Sequence, residues 1–354
     1  MTSRDRMLAA LAFQPPDVIP LQIFAAPGGL YEHGQKLLDL IRACGHDFGT
    51  FDWLRLPDPP PATDFDPDGR YHAVRTDDWG TTWEYRIFGV WGHPLKRPLD
   101  DLASLPAYRP PMPPPLAAAE HDTACAHAAA HKQQYYLAGG GGALFETLRS
   151  IRRFEDVLMD LALDTPEINR LADLITDNMH AQVRRSLASD VDAVCFGDDF
   201  GTGSALMISP AIFRRFFRPR YEAVFAPVRK AGKAIFFHSC GQIEAILDDL
   251  AELGVNAIWP QLPLFDLPTL ACRCRDLHLA VQLHPDRGDL MQRGTPAQVR
   301  DYLHRMLDAF DTAHGGSWLY IEIDPGFPWP NVEALFEVAM ERRTAPRQGA
   351  DTPA

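Results

Sequence analysis

The residues best able to do chemistry in this chain stand just after short apolar runs. The run 234–237 leads into His238-Ser239-Cys240-Gly241. An imidazole and a thiolate two residues apart, on a strand end that bends at Gly241, can point the same way, and that pair suits zinc. Two ligands do not make a site. Glu322 and Asp324 follow the run 318–321 and offer a carboxylate that can face the same centre. A His/Cys/Glu set would leave the fourth tetrahedral position open, as a catalytic zinc requires. The run 192–196 ends in Gly197-Asp198-Asp199, which places carboxylates for hydrogen bonding or general-acid work. Gln261 follows the run 255–259, and the run 279–283 ends in His284-Pro285-Asp286-Arg287. Polar and metal-binding side chains therefore gather at five strand ends.

Other candidates are weaker. Cys272 and Cys274 lie in a helical stretch between arginines, where residues i and i+2 point apart. Gly139-Gly140-Gly141-Gly142 follows an expected strand and precedes a helix, where it could offer N–H groups to an anion. Without the Lys and Ser/Thr of a phosphate loop, it reads better as room for something large. Arg214, Arg215, Arg218 and Arg220 are mid-helix and read as a solvated face.

These positions presuppose a particular scaffold. Ser209-Pro210 opens a helix that reaches Lys230 and closes at Gly232. Ile243, Ile246, Leu247, Leu250 and Leu253 form one apolar stripe that Gly254 stops. Helices are expected near 267–275, from Thr295-Pro296 to about 310, and after Asn331 as cap. The second half thus gives five β-then-α units with connections short enough to force parallel strands. Strands at 18–24, about 46–51 and 134–138 bring the count to eight, which predicts a (β/α)8 TIM barrel. No Gly-x-Gly-x-x-Gly follows an early strand, as an open dinucleotide-binding sheet would want. Alternation across 69–92, with Trp79-Gly80 in the middle, predicts a β-hairpin at the rim. Pro-rich connectors flank it, so the insertion spans about 57–115 of a single domain over 1–343. Residues 344–354 read as a flexible tail.

Composition narrows the function. The 354 residues carry 34 Lys+Arg against 47 Asp+Glu, a formal charge of −13, which disfavours nucleic acid and polyanionic partners. At 46% hydrophobic, the chain is too apolar to be disordered. No apolar run approaches the ~18 residues of a membrane span. Six irregularly spaced cysteines make no disulfide framework, and with no signal peptide visible they suit a reducing cytoplasm.

Several segments resemble the uroporphyrinogen decarboxylase superfamily, over nearly the whole chain. They are the opening 3–11 with Pro16-Asp17-Val18-Ile19-Pro20, then Asp77-Asp78-Trp79-Gly80-Thr81-Thr82-Trp83, and Gly197-Asp198-Asp199-Phe200-Gly201 with Ile208-Ser209-Pro210. Phe237-His238-Ser239-Cys240-Gly241 resembles the zinc motif of the superfamily's corrinoid-linked methyltransferases. The resemblance implies a TIM barrel, Zn2+ at His238 and Cys240, and methyl transfer between a small O- or S-methyl substrate and cobalamin on a corrinoid protein. O-demethylation of a methoxylated aromatic is one form of that reaction. Those relatives supply a further Cys near the last strand; this chain has none after Cys274, and Glu322 falls at that position. Glu322 is therefore the expected third ligand, with Gln261 beside the metal. Asp198 or Asp199 would hydrogen-bond or protonate the leaving atom, Trp79 and Trp83 would shape the pocket, and His284 and Asp286 would stand around it. True decarboxylases of the family carry a basic segment near the first strand. The stretch 24–31 here has no Arg or Lys, so decarboxylation of a tetrapyrrole or related acid ranks second. A barrel that only binds a ligand or partner ranks third.

Overall fold

In the computed structural model, which describes residues 1–344, the chain is an α/β protein of TIM-barrel-like class. Ten strands form among the described residues: β1 (Leu21–Phe24), β2 (Ala73–Thr76), β3 (Thr82–Tyr85), β4 (His93–Lys96), β5 (Ala138–Gly142), β6 (Ala193–Gly197), β7 (Ala234–Ser239), β8 (Ala257–Pro260), β9 (Ala280–Leu283) and β10 (Ser317–Glu322). Two compact units divide them. One holds Met1–Pro57, Gln133–Tyr136 and the chain from Phe265 on; the other holds Asp58–Lys132 and Leu137–Leu264. The tail expected at 344–354 falls, from residue 345, outside the described residues.

In the first unit β1 pairs with β10 and β10 with β9, all parallel. Helices Gln35–Cys44, Pro296–Ala309 and Trp329–Thr344 belong to this unit, and Leu37, Leu38, Ile41, Leu303 and Leu335 are buried. The strand expected at 46–51 does not form; only an isolated bridge joins His46 to Gly49. Side chains do a strand's work there. The buried Asp47 carboxylate takes the Leu21 N–H (2.7 Å), its own N–H donates to the Leu21 carbonyl (2.8 Å), and His46 Nδ1 accepts from Ile23 N (3.3 Å). Arg6 and Arg343 complete the cluster around Asp47, whose carboxyl they hold below its ordinary range against the opposing effect of burial. Asn331, expected as a cap, sits inside the last helix and donates to the carbonyls of Met291 and Gly294.

In the second unit β5, β6, β7 and β8 run parallel in that order. The tetraglycine is part of the strand β5 itself rather than following the strand expected at 134–138. A Cβ on Gly141 would overlap the ring of Phe196 on β6, so the glycine run lets an aromatic ring lie on bare backbone. Ser209 caps the following helix as expected, its Oγ accepting from Ile212 N. The helix reaches Lys230 through a wider π-turn at Phe213–Phe217. Phe213, Phe216 and Phe217 are all buried, and with Phe145, Phe200, Tyr221, Phe225 and Phe237 they form an aromatic core. Each such ring pair is worth about 0.5–1.5 kcal/mol beyond its buried area, enough to fix the loop that carries Phe200. The arginines of this helix are more than a solvated face, since Arg214 and Arg218 both bond the buried Asp249. Cys274 is buried and Cys272 exposed, so the two thiols diverge as their spacing predicts.

The expected hairpin is present and gains a third strand: β2, β3 and β4 form an antiparallel sheet. Trp83 is buried and its Nε1 donates to Asp77 across the turn (2.7 Å), while Thr81 Oγ1 donates to the Ser150 carbonyl (3.0 Å).

Candidate metal centre

Strands β6 and β7 pair in parallel with Gly197 opposite His238, which brings the ends that follow them side by side. Beyond those ends the backbone of Gly201 meets that of Gly241. A Cβ on either glycine would overlap the other loop, and Gly241 has φ +81°. Gly201 N donates to the Cys240 carbonyl (3.1 Å), and Phe200 N to Ser239 Oγ (3.1 Å). The two loops are thus one welded piece, and it fixes Asp199 against His238 and Cys240.

His238 Nδ1 lies 2.8 Å from the Trp259 carbonyl on β8. A carbonyl only accepts, so Nδ1 carries the proton and Nε2 of the neutral ring keeps its lone pair. Nε2 faces Cys240 Sγ at 3.4 Å and Asp199 Oδ1 at 3.4 Å, while Cys240 N donates to that same Oδ1 (2.8 Å). The ligand atoms of Asp199, His238 and Cys240 all lie within 4.8 Å of one another. Zinc bonds of about 2.0–2.3 Å at tetrahedral angles separate neighbouring donors by roughly 3.5 Å, so the spacing and the N/S/O donor set both fit zinc. Gln261 touches this piece through backbone, its Oε1 accepting from Gly241 N (3.0 Å).

Asp198 is almost wholly buried. Its carboxylate accepts from Leu144 N (2.8 Å), Glu146 N (2.7 Å) and the Tyr221 hydroxyl. Burial pushes its pKa up to about 6 against those hydrogen bonds. It thereby ties β6 to the start of the helix Phe145–Ile151. That helix delivers two residues the sequence reading passed over. Glu146 Oε1 lies 2.6 Å from Arg149 and accepts from Asp199 N (3.4 Å); burial, with the charges of Asp199 and Asp198 adding to it against Arg149, pushes its pKa up to about 7. Arg149 lies 3.8 Å from Asp199 Oδ2. The signal for Glu146 is the strand-end rule itself, hidden because β5 lies four residues beyond the expected 134–138; nothing in the spacing marks Arg149, which lies further along the helix.

The remaining expected residues are distributed as follows. Trp79 is half-buried in the β2–β3 turn, and its carbonyl accepts from Tyr108 (2.9 Å). In the first unit, Glu322 ends β10 and accepts from Arg287 (2.7 Å) and Tyr320 (2.9 Å), while Arg287 also bonds Asp324 (2.7 Å). Burial raises the Glu322 pKa against the pull of Arg287. Asp286 accepts from Gly288 N and Leu290 N at the start of Asp289–Arg293, and His284 is buried.

Fold and cluster together define an α/β protein with a candidate metal centre at adjacent strand ends. The chain belongs to the uroporphyrinogen decarboxylase (URO-D) family, which residues 92–342 match. No curated protein matches it. Among solved structures, a methyltransferase from Methanosarcina mazei superposes with a TM-score of 0.62 at 13% identity, over 96% of this chain and 99% of that one. Dihydropteroate synthases from Xanthomonas albilineans (TM-score 0.35, 16% identity, 56% of this chain and 65% of that one) and Anaplasma phagocytophilum (0.36, 14%, 58% and 73%) also match. The first likeness shows the fold.

Proposed function

We propose that this protein is a zinc-dependent methyltransferase moving a methyl group between a small O- or S-methyl compound, such as a methoxylated aromatic, and the cobalamin of a corrinoid partner protein. The observation that carries the reading is the meeting of His238, Cys240 and Asp199 at neighbouring strand ends. Zinc bound there would supply Lewis acidity to the heteroatom that gives up the methyl group. The chain's own residues do the rest. The Trp259 carbonyl fixes the His238 tautomer, the Cys240 N–H and the welded glycines aim Asp199, and Gln261 braces Gly241. Asp198 serves as the post on which Asp199 and the start of the next helix are set. Asp199 supplies the carboxylate ligand in this reading and Glu322, the third ligand that the resemblance assigns, is its rival for that place, with Trp79, His284 and Asp286 around the substrate.

Elemental analysis of protein purified without chelator tests this. Zinc should be stoichiometric with the chain, Cys240→Ala should lose it while remaining folded, and the zinc-loaded protein should methylate free cob(I)alamin from a methoxylated aromatic. A wild-type protein without zinc would return decarboxylation of a tetrapyrrole or related acid to first place.

A further inference from the structure

The two oxygens of Asp199 face different neighbours. Oδ1 accepts the Cys240 N–H (2.8 Å) and lies 3.4 Å from His238 Nε2, whereas Oδ2 faces Arg149, 3.8 Å away. Arg149 is itself held in place. Its guanidinium bonds Glu146 (2.6 Å) three residues back on the same helix, lies 3.9 Å from Met207 Sδ, and sits 5.9 Å from the ring centroid of Phe154. Rotation of a carboxylate about its last bond is soft, so a single N–H on Oδ1 leaves the plane of the group loosely set. A fixed cation on the second oxygen removes that freedom.

We propose that Arg149 is a positioning residue of the metal centre: by drawing Oδ2 of Asp199 it presents Oδ1 to His238 Nε2 and Cys240 Sγ. The proposal rests on reading that trio as a metal site. Two other roles for Arg149 differ from it in the sign of their effect. A surface ion pair with Glu146, serving only the helix, would leave metal binding unchanged on removal. A bare positive charge near the site would repel a second cation, so its removal would tighten binding.

Cobalt(II) is the probe, added to the full-length protein, with affinity read by chelator competition and the site read by its sulfur-to-cobalt and d–d absorption. Arg149→Met should bind cobalt about 10–100-fold more weakly, the usual cost of losing a group that orients a ligand, and should alter the d–d bands. Arg149→Lys should recover part of the loss, and it carries the test if Arg149→Met does not fold. Thermal midpoints of the metal-free variants should match wild type. Unchanged or tighter cobalt binding in both variants overturns the proposal while leaving the metal site in place. A wild-type protein that takes up no cobalt, or a Cys240→Ala variant that binds it normally, removes the site and the proposal together.

Discussion

His238 is aimed by a backbone carbonyl, Cys240 by a bend at a glycine, and Asp199 by the N–H of the very cysteine it stands beside. Each of these aiming groups is main chain, which has no rotamers to lose, so His238 and Cys240 are set before any ion arrives; the plane of the Asp199 carboxylate is left to its second oxygen, which faces Arg149. The sequence pattern His-x-Cys-Gly at a strand end was enough to single out the first two. It offers Asp199 as a hydrogen-bonding or general-acid carboxylate and not as a ligand, because a ligand set read from strand ends gives no distances between neighbouring loops. Variants separate the two carboxylates. Asp199→Asn should weaken zinc binding by tenfold or more in chelator competition, while Glu322→Gln, whose carboxylate already serves Arg287 and Tyr320, should weaken it less. The opposite order would make Glu322 the third ligand, as the resemblance assigns.

At the scale of elements, the welded loops after β6 and β7 matter most. Gly241→Ala puts a Cβ into the Gly201 backbone at a positive φ, which should cost about 3 kcal/mol and lower the thermal midpoint by roughly 4 °C, with loss of metal binding. A midpoint within a degree of wild type would show that the two loops yield easily. A milder prediction concerns the turn into β6, where Asp190 bonds Lys132 and Lys233, which hold its carboxyl at about 2. A carboxyl lowered on folding stabilises above its unfolded value near 4 and loses that contribution as pH falls toward 2. Asp190 is half exposed, so Asp190→Asn should lower the midpoint at pH 7 by only about 1–2 °C, and the gap should narrow below pH 4 in calorimetry. The elements most legible in the sequence were those with caps and apolar periods, such as the helix from Ser209 and strands β6 to β10. The segment 46–51 forms no strand because Asp47 and His46 bond the edge of β1 from a turn. Strand β5 was misread because glycine carries no β signal; what makes it a strand is the Phe196 ring lying on it, a partner far along the chain.

For the molecule as a whole, the formal charge is −13, and membership of the uroporphyrinogen decarboxylase family ties the chain to a barrel-like α/β fold. None of the described helices is long and apolar enough to cross a membrane. The chemistry proposed for the molecule stands or falls on what surrounds the ion. X-ray absorption at the zinc edge of the purified full-length protein reads that shell directly. The account predicts one sulfur at about 2.3 Å with nitrogen and oxygen donors at about 2.0 Å, including an imidazole signature. A shell without sulfur, or one built from several sulfurs, would contradict it.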